Sequence, residues 1–159
     1  MSTLVLLRHA KSEAHRAADD HSRGLAARGR ADAAAVRAWL TGQGISPDRV
    51  VVSTALRARQ TWECASVGGL PPVFDERVYE ASPDDLLEVI RETPADVQTL
   101  VLVGHNPGIE RLALSLDDSD EARDLTTSGM PTSAVAVFEV DGWADLSAGV
   151  LQELAVPRG

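Results

Sequence analysis

Three short, uninterrupted apolar runs constrain this chain more than any other feature: Leu4-Val-Leu-Leu7, Val50-Val-Val52 and Leu100-Val-Leu-Val103. Each is β-branched or Leu-rich, does not alternate with polar residues, and gives way abruptly to polar sequence. A strand with one wet face alternates with period two, whereas a strand covered on both faces does not. The runs therefore read as strands buried on both sides of a parallel sheet. A fourth stretch, Ala134 to Val140, reads as a strand nearer an edge. Residues 148–156 are expected to pair with it across the Asp141-Gly142 turn region.

Helical patterns fill the gaps. Residues 26–41 carry Ala33, Val36 and Leu40 on one stripe, with Gly42 and Gly44 as stop signals. Residues 54–66 follow the second run as another helix. Ser82-Pro83-Asp84-Asp85 has a cap residue, a proline at the first helical position and acids in the first turn, followed by the stripe Leu86, Leu87 and Ile90. Asn106-Pro107 repeats the cap-plus-proline start ahead of Ile109, Leu112, Ala113 and Leu116. Alternating strands and helices predict a three-layer α/β/α sandwich around a mainly parallel central sheet. In 159 residues this makes one domain, residues 1–159. In such sheets ligands sit beyond the carboxyl ends of the strands, and that is where candidate chemistry belongs.

Two of the four histidines stand there. The first strand ends in Arg8-His9, and the third large run ends in Gly104-His105-Asn106-Pro107. The second runs into Ser53-Thr-Ala-Leu-Arg57-Ala-Arg-Gln-Thr61. A histidine leaving a core is commonplace, but two together, one beside an arginine and the other beside a helix start, suggest an anion site. Arg8 and Arg57 offer planar forks of donors to phosphate oxygens, and a helix opening at Asn106-Pro107 would add unpaired N–H groups. Surrounding cations disfavour protonation of an imidazole, and a backbone carbonyl accepting from Nδ1–H would leave Nε2 as a nucleophile toward phosphorus. Attack, a phosphohistidine intermediate and hydrolysis by water follow from that arrangement.

The charge distribution agrees. The chain carries a net −9, yet residues 1–60 hold ten cations against five acids, and the remainder five against 19. An acidic protein is a poor partner for nucleic acid or an anionic membrane, and a locally basic first third suits a pocket for a small anion. One cysteine, Cys64, excludes a disulfide framework, and no apolar run approaches a membrane span. The first residues lack the cation and the long apolar stretch of a secretory signal, so a cytoplasmic location is expected.

Arg8-His9-Ala10, Ser53-x-x-x-Arg57-Ala-x-Gln-Thr61 and Gly104-His105-Asn106-Pro107 together resemble the motifs of the histidine phosphatase (phosphoglycerate mutase-like) superfamily. More closely they resemble its short members, the SixA-like phosphohistidine phosphatases. Motif order and strand context agree over nearly the whole chain, as does the late Thr132-Ser133-Ala134 lead-in to a strand. The resemblance implies His9 as the phosphorylated nucleophile, with Arg8, Arg57 and His105 completing the phosphate pocket. Arg23 matches a further family arginine, with Arg16 and Arg28 as alternatives. Two departures, Ala10 for Gly and Thr54 for Pro, remove no reacting group. The resemblance also implies a carboxylic proton donor between Arg57 and His105. Glu80 is the candidate; its other reading is a solvated acid near a helix start.

A phosphoramidate leaves as a weakly basic imidazole and needs less acid assistance than an alkoxide does. Little chain is spare for a lid, so an open pocket suited to a phosphorylated protein is expected. A phosphohistidine protein is accordingly the first substrate class, a small phosphomonoester the second, and a non-catalytic phosphate-binding module the reading from another class. The implied reaction calls for no metal or cofactor, because arginines supply the positive charge. Other signals are weaker. Cys64 lacks the arginine six positions on that a tyrosine-phosphatase nucleophile needs, since position 70 is Leu, and it reads as a buried small residue. His15, His21, Asp19 and Asp20 lack metal-site spacing and read as a solvated loop; if ordered, they would line the pocket rim near Arg23. Asp117 to Glu121 reads as an exposed acidic turn, and the three tryptophans as packing residues.

Overall fold

In the computed structural model, residues 1–14 and 19–159 are described. Strand β1 (Ser2–Arg8) runs through the middle of a six-stranded sheet, parallel to β4 (Thr99–Gly104) on one side. On its other side it is antiparallel to β5 (Val135–Val140). Beyond β4 come β2 (Arg49–Ser53) and a short edge strand β3 (Val73–Asp75), both parallel. Beyond β5 the sheet closes with β6 (Val150–Ala155), antiparallel to β5. The spatial order is β3-β2-β4-β1-β5-β6. The sheet is thus mixed, with three parallel interfaces and two antiparallel ones at one end.

The continuous apolar runs owe their pattern to cover on both faces. Leu4 and Leu6 of β1 and Leu100 and Leu102 of β4 point to one side. There they meet α3 (Pro83–Arg91) and α4 (Gly108–Leu116) through Leu86, Ile90, Ile109 and Leu112. Val5 and Leu7, with Val101 and Val103, point to the other side. They pack on α1 (Ala27–Gly42) and α2 (Leu56–Ala65) through Ala33, Val36, Leu40, Ala58 and Trp62. Removing one fully buried leucine such as Leu102 costs about 2–5 kcal/mol. Among the described residues no helix is long and apolar enough to cross a membrane.

The expected elements are present with small boundary shifts, and α3 opens with a reciprocal Ser82–Asp85 capping box. Four points differ from the sequence reading. The acidic stretch is not merely a turn: Ser119 accepts the Ala122 N–H and caps a short helix α5 (Asp120–Leu125). Strand β3 has no sequence signature because it is three residues long, follows Pro71-Pro72 and exposes Val73 and Phe74. Cys64 is half-buried on the rim of the α1/α2 layer rather than inside it.

The fourth point concerns α4, which starts at Gly108 after a cis Asn106-Pro107 bond, with Pro107 at the cap and not inside the helix. Two of its early N–H groups already have partners within the chain. The Ile109 N–H donates to the His105 carbonyl at 2.9 Å and the Glu110 N–H to Asn106 Oδ1 at 3.2 Å. The chain's own cap, rather than a ligand, takes these donors.

Candidate active site

The site lies beyond the carboxyl ends of β1, β2 and β4. The His9 N–H donates to the Gly104 carbonyl and its own carbonyl accepts from the Ser133 N–H, both at 3.0 Å. This pins the residue between the end of β4 and the turn leading into β5. Ser133 is fully buried at φ 62°, a conformation that serine adopts only when its surroundings impose it. The Ala10 N–H donates to Thr61 Oγ1 at 2.9 Å, and Thr61 Oγ1 donates to the Arg57 carbonyl at 2.7 Å. The spacing Arg57-x-x-x-Thr61 thus ties the turn after His9 to the first turn of α2.

His9 is 6% exposed, and its Nδ1 lies 2.8 Å from the Ala10 carbonyl oxygen. A carbonyl only accepts, so Nδ1 carries the hydrogen and Nε2 of the neutral ring keeps its lone pair. Burial, reinforced by Arg57, Arg8 and Arg23, pushes the imidazole down to about 4. His105 sits beside it, with ring centroids 5.1 Å apart. Burial, then His9 and Arg57, pushes it to about 3. Both rings are therefore neutral near pH 7. Ser53 Oγ lies 2.7 Å from His105 Nε2.

The arginines enter from three directions. Arg8 donates from Nη1 to the Met130 carbonyl at 3.1 Å. Arg57, 6% exposed, donates to the Asp20 carbonyl at 2.9 Å and to its carboxylate at 3.1 Å. Arg23 reaches Ser12 Oγ, the Glu13 carbonyl and, at 2.9 Å, the Asp20 carboxylate. Arg28 instead lies on the exposed face of α1, paired with Asp32 at 3.8 Å, away from this cluster. Arg16 and His15 lie outside the described residues. Six buried side-chain polar atoms among the described residues lack a partner, and four of them are Arg8 Nε, Arg23 Nε, Arg57 Nε and His105 Nδ1. Buried donors without acceptors are costly. An oxyanion set among these four residues would satisfy them.

Tyr79 escaped the sequence reading, and Asp20 was read only as part of a solvated loop that would line the rim if ordered. Asp20 is the start of a one-turn 3-10 segment, not a solvated loop residue. Its carboxylate accepts from the Tyr79 hydroxyl at 2.6 Å as well as from both arginines. Tyr79, then Arg23 and Arg57, hold that carboxyl far below its ordinary range, and the same bond raises the Tyr79 phenol. His21 accompanies them, 2.8 Å from Thr54 Oγ1 and edge-on to Tyr79 at 4.8 Å. Thr54, one of the departures from the motif, thereby gains a partner. Two adjacent aspartates offer no spacing signal that would have revealed this. Among the described residues no group of three or more His, Cys, Asp or Glu is disposed to hold a metal.

Glu80 is exposed at φ 55°. It lines a cleft of about 360 Å³ together with Arg57, Tyr79, His105, Pro107 and Arg111. The floor is tight, because a Cβ on Gly108 would collide with the Ala81 carbonyl.

Comparison with known proteins agrees with this geometry. Residues 4–117 match the sequence model of the histidine phosphatase superfamily, branch 1. The chain is 38% identical to an uncharacterised protein of Mycobacterium tuberculosis over 96% of its own length and all of that protein. Among solved structures it resembles two described as candidate SixA phosphohistidine phosphatases. One, from Nakamurella multipartita, has 32% identity and a TM-score of 0.84, covering 98% of this chain and 96% of that one. The other, from Agrobacterium tumefaciens, has 30% identity and a TM-score of 0.85, covering 98% and 99%. The chain belongs to the histidine phosphatase superfamily and is SixA-like within it. Its class of activity is that of a phosphatase.

Proposed function

We propose that residues 1–159 act as one phosphatase domain that works through a phosphohistidine on His9 and takes its phosphoryl group from phosphohistidine on another protein. The observation that carries this reading is the convergence of Arg8, His9, Arg57 and His105 around orphaned buried donors, with His9 Nδ1–H held by a carbonyl and Nε2 left free.

The chemistry follows from those atoms. The Nε2 lone pair of neutral His9 attacks phosphorus in line with the leaving group, forming a P–N bond as the bond to the leaving atom breaks. Arg8, Arg57, Arg23 and His105 donate to the non-bridging oxygens, where charge redistributes in the transition state. The leaving atom takes the electron pair and a proton, from Glu80 or from water. Water then attacks phosphorus, the His9 P–N bond breaks toward Nε2, and inorganic phosphate leaves. No charge on the imidazole has to be discharged before the first step, because its burial among cations already keeps it neutral.

The SixA-type relatives support a displayed phosphohistidine. The position of Glu80 in the cleft with His105 and Arg57 favours a second reading, hydrolysis of a small phosphomonoester, whose alkoxide needs a proton donor. A panel of phosphohistidine peptide, phosphoserine peptide and sugar phosphates, assayed with EDTA present, tests both. Preference for the P–N substrate by at least tenfold is expected. Faster turnover of a phosphomonoester would give the second reading the lead, and an inert protein would leave a phosphate-binding module. Glu80→Gln is expected to slow ester cleavage more than P–N cleavage, and equal losses would remove Glu80 as the donor.

A further inference from the structure

We propose that Ser53 is a positioning residue that fixes the proton of His105 on Nδ1, so that His105 meets a phosphoryl oxygen as a neutral N–H donor. The inference deepens the phosphatase reading and rests on it for its functional consequence.

Ser53 is the last residue of β2 and is fully buried. Its Oγ has two partners, the Ala55 N–H at 3.2 Å and His105 Nε2 at 2.7 Å. A hydroxyl has one hydrogen to give. The Ala55 N–H is itself a donor and cannot receive that hydrogen. Among the described residues His105 Nε2 is therefore its acceptor. Were Nε2–H to donate instead, the Ser53 hydroxyl hydrogen would be buried with nothing to receive it, an expensive state. Nε2 accordingly accepts, and a neutral ring must then carry its proton on Nδ1.

His105 Nδ1 is the buried atom without a partner, in the company of the Nε atoms of Arg8, Arg23 and Arg57. Four donors with no acceptor form the complement of an oxyanion. The two histidines thus share a tautomer and differ in which nitrogen is tied down. His9 is tied through Nδ1 by a carbonyl, which frees a bare Nε2 to attack. His105 is tied through Nε2 by a hydroxyl, which frees an N–H to stabilise charge. A serine rather than a carboxylate in this place also keeps His105 from becoming an imidazolium beside His9, Arg8 and Arg57.

Long-range proton–nitrogen NMR of 15N-labelled protein at pH 7 tests this, with the His105 resonances identified by their loss in His105→Asn. The wild type is expected to give the Nδ1–H pattern. An Nε2–H pattern or an imidazolium would overturn the proposal, whatever the activity. In Ser53→Ala the His105 signals are expected to move toward Nε2–H. With p-nitrophenyl phosphate, kcat should fall about tenfold or more while KM changes less than about threefold. Ser53→Thr, which keeps the hydroxyl, should restore the Nδ1–H pattern. An unchanged tautomer and unchanged kcat in Ser53→Ala would overturn the role of the hydroxyl. A wild type inert toward phosphomonoesters and phosphoramidates overturns the phosphatase reading instead, since the resonances are read without substrate.

Discussion

Two arginine–aspartate pairs in this molecule are built in opposite senses. In Arg57–Asp20 the cation is the inner partner, its side chain 8% exposed against 34% for the carboxylate. In Arg158–Asp32 the carboxylate is inside at 1% and the guanidinium lies at 37%. Asp32 is saturated: Arg158 Nη1 donates at 3.2 Å, the Gly159 N–H at 3.0 Å, and Arg28 stands at 3.8 Å. Arg158 in turn reaches the Thr132 carbonyl and Ser133 Oγ, both at 2.8 Å, so the pair latches the C-terminal residues onto α1 and the β5 lead-in. Arg57 is not saturated, because its Nε is buried and unpartnered. A buried anion with every donor in place holds a structure together; a buried cation with a spare donor waits for something. The first kind of pair should register in stability and the second in turnover.

The largest effects should fall on the unsaturated side. His9→Ala is expected to abolish phosphoenzyme formation and lower kcat by ~10³-fold or more, and Arg57→Ala to lower it by ~10²–10³-fold. Both variants should unfold in urea close to the wild type. Activity within tenfold of wild type in His9→Ala would end the covalent mechanism. Asp32→Ala is the mirror experiment. Losing the hydrogen bonds that Arg158 and the Gly159 N–H make to this buried carboxylate should cost about 3 kcal/mol in urea unfolding. Turnover per folded molecule should stay within about threefold. A much larger loss of turnover would mean that the latch reaches His9 through Ser133, whose N–H holds the His9 carbonyl.

Asp20→Asn sharpens the contrast further. The rim carboxylate aligns two guanidinium groups and the Tyr79 hydroxyl. Its loss is expected to lower kcat about tenfold through misplaced donors. Stability should fall by about 1–2 kcal/mol, because the buried Arg57 loses a carboxylate but keeps an amide oxygen to donate to. A stability loss as large as that of Asp32→Ala would erase the distinction between the two pairs.

These two pairs also mark how far the sequence could be read. Arg8, His9, Arg57 and His105 were legible because each follows an apolar run, and the parallel sheet that buries the runs fixes where their ends lie. Thr61 was legible within a motif, and its reason is the bond from the Ala10 N–H to its hydroxyl. Asp20 was read only within a loop, Tyr79 was not singled out, and Ser53 was legible only as the head of that same motif. Their contacts span 37, 59 and 52 residues of chain, and nothing local distinguishes an aspartate that grips Arg57 from one in water. Asp32 sits on the buried face of α1 among Gly29, Ala33 and Val36, where a charge is a misfit until its partner arrives from residue 158. Register, burial and handedness are written locally; long-range polar partners are written only in the fold. The helix opening at Asn106-Pro107 was misread in part for a related reason, since two of the donors expected to face a ligand, the Ile109 and Glu110 N–H groups, are taken by His105 and Asn106 themselves.

The smallest effect expected is on the pH dependence, and it too separates the two halves of the comparison. His9, pushed to about 4 by burial, and His105, pushed to about 3, stay neutral in the folded protein while their unfolded counterparts titrate near 6.5. Below pH 6.5 the unfolded chain therefore binds protons that the folded chain refuses, so stability falls with pH from about 6.5 toward 4. At pH 5.5 this amounts to roughly 1 kcal/mol for each ring. His9→Gln, which has nothing to titrate at that position, should show a shallower slope in urea midpoints measured between pH 7 and 5. The Arg158–Asp32 latch contributes no histidine, so Arg158→Ala should lower the whole curve and leave its slope unchanged. An identical slope in His9→Gln and the wild type would mean that His9 titrates in the folded protein as it does in the unfolded chain. Burial among the arginines would then not be what keeps its Nε2 lone pair free on the acid side of neutrality.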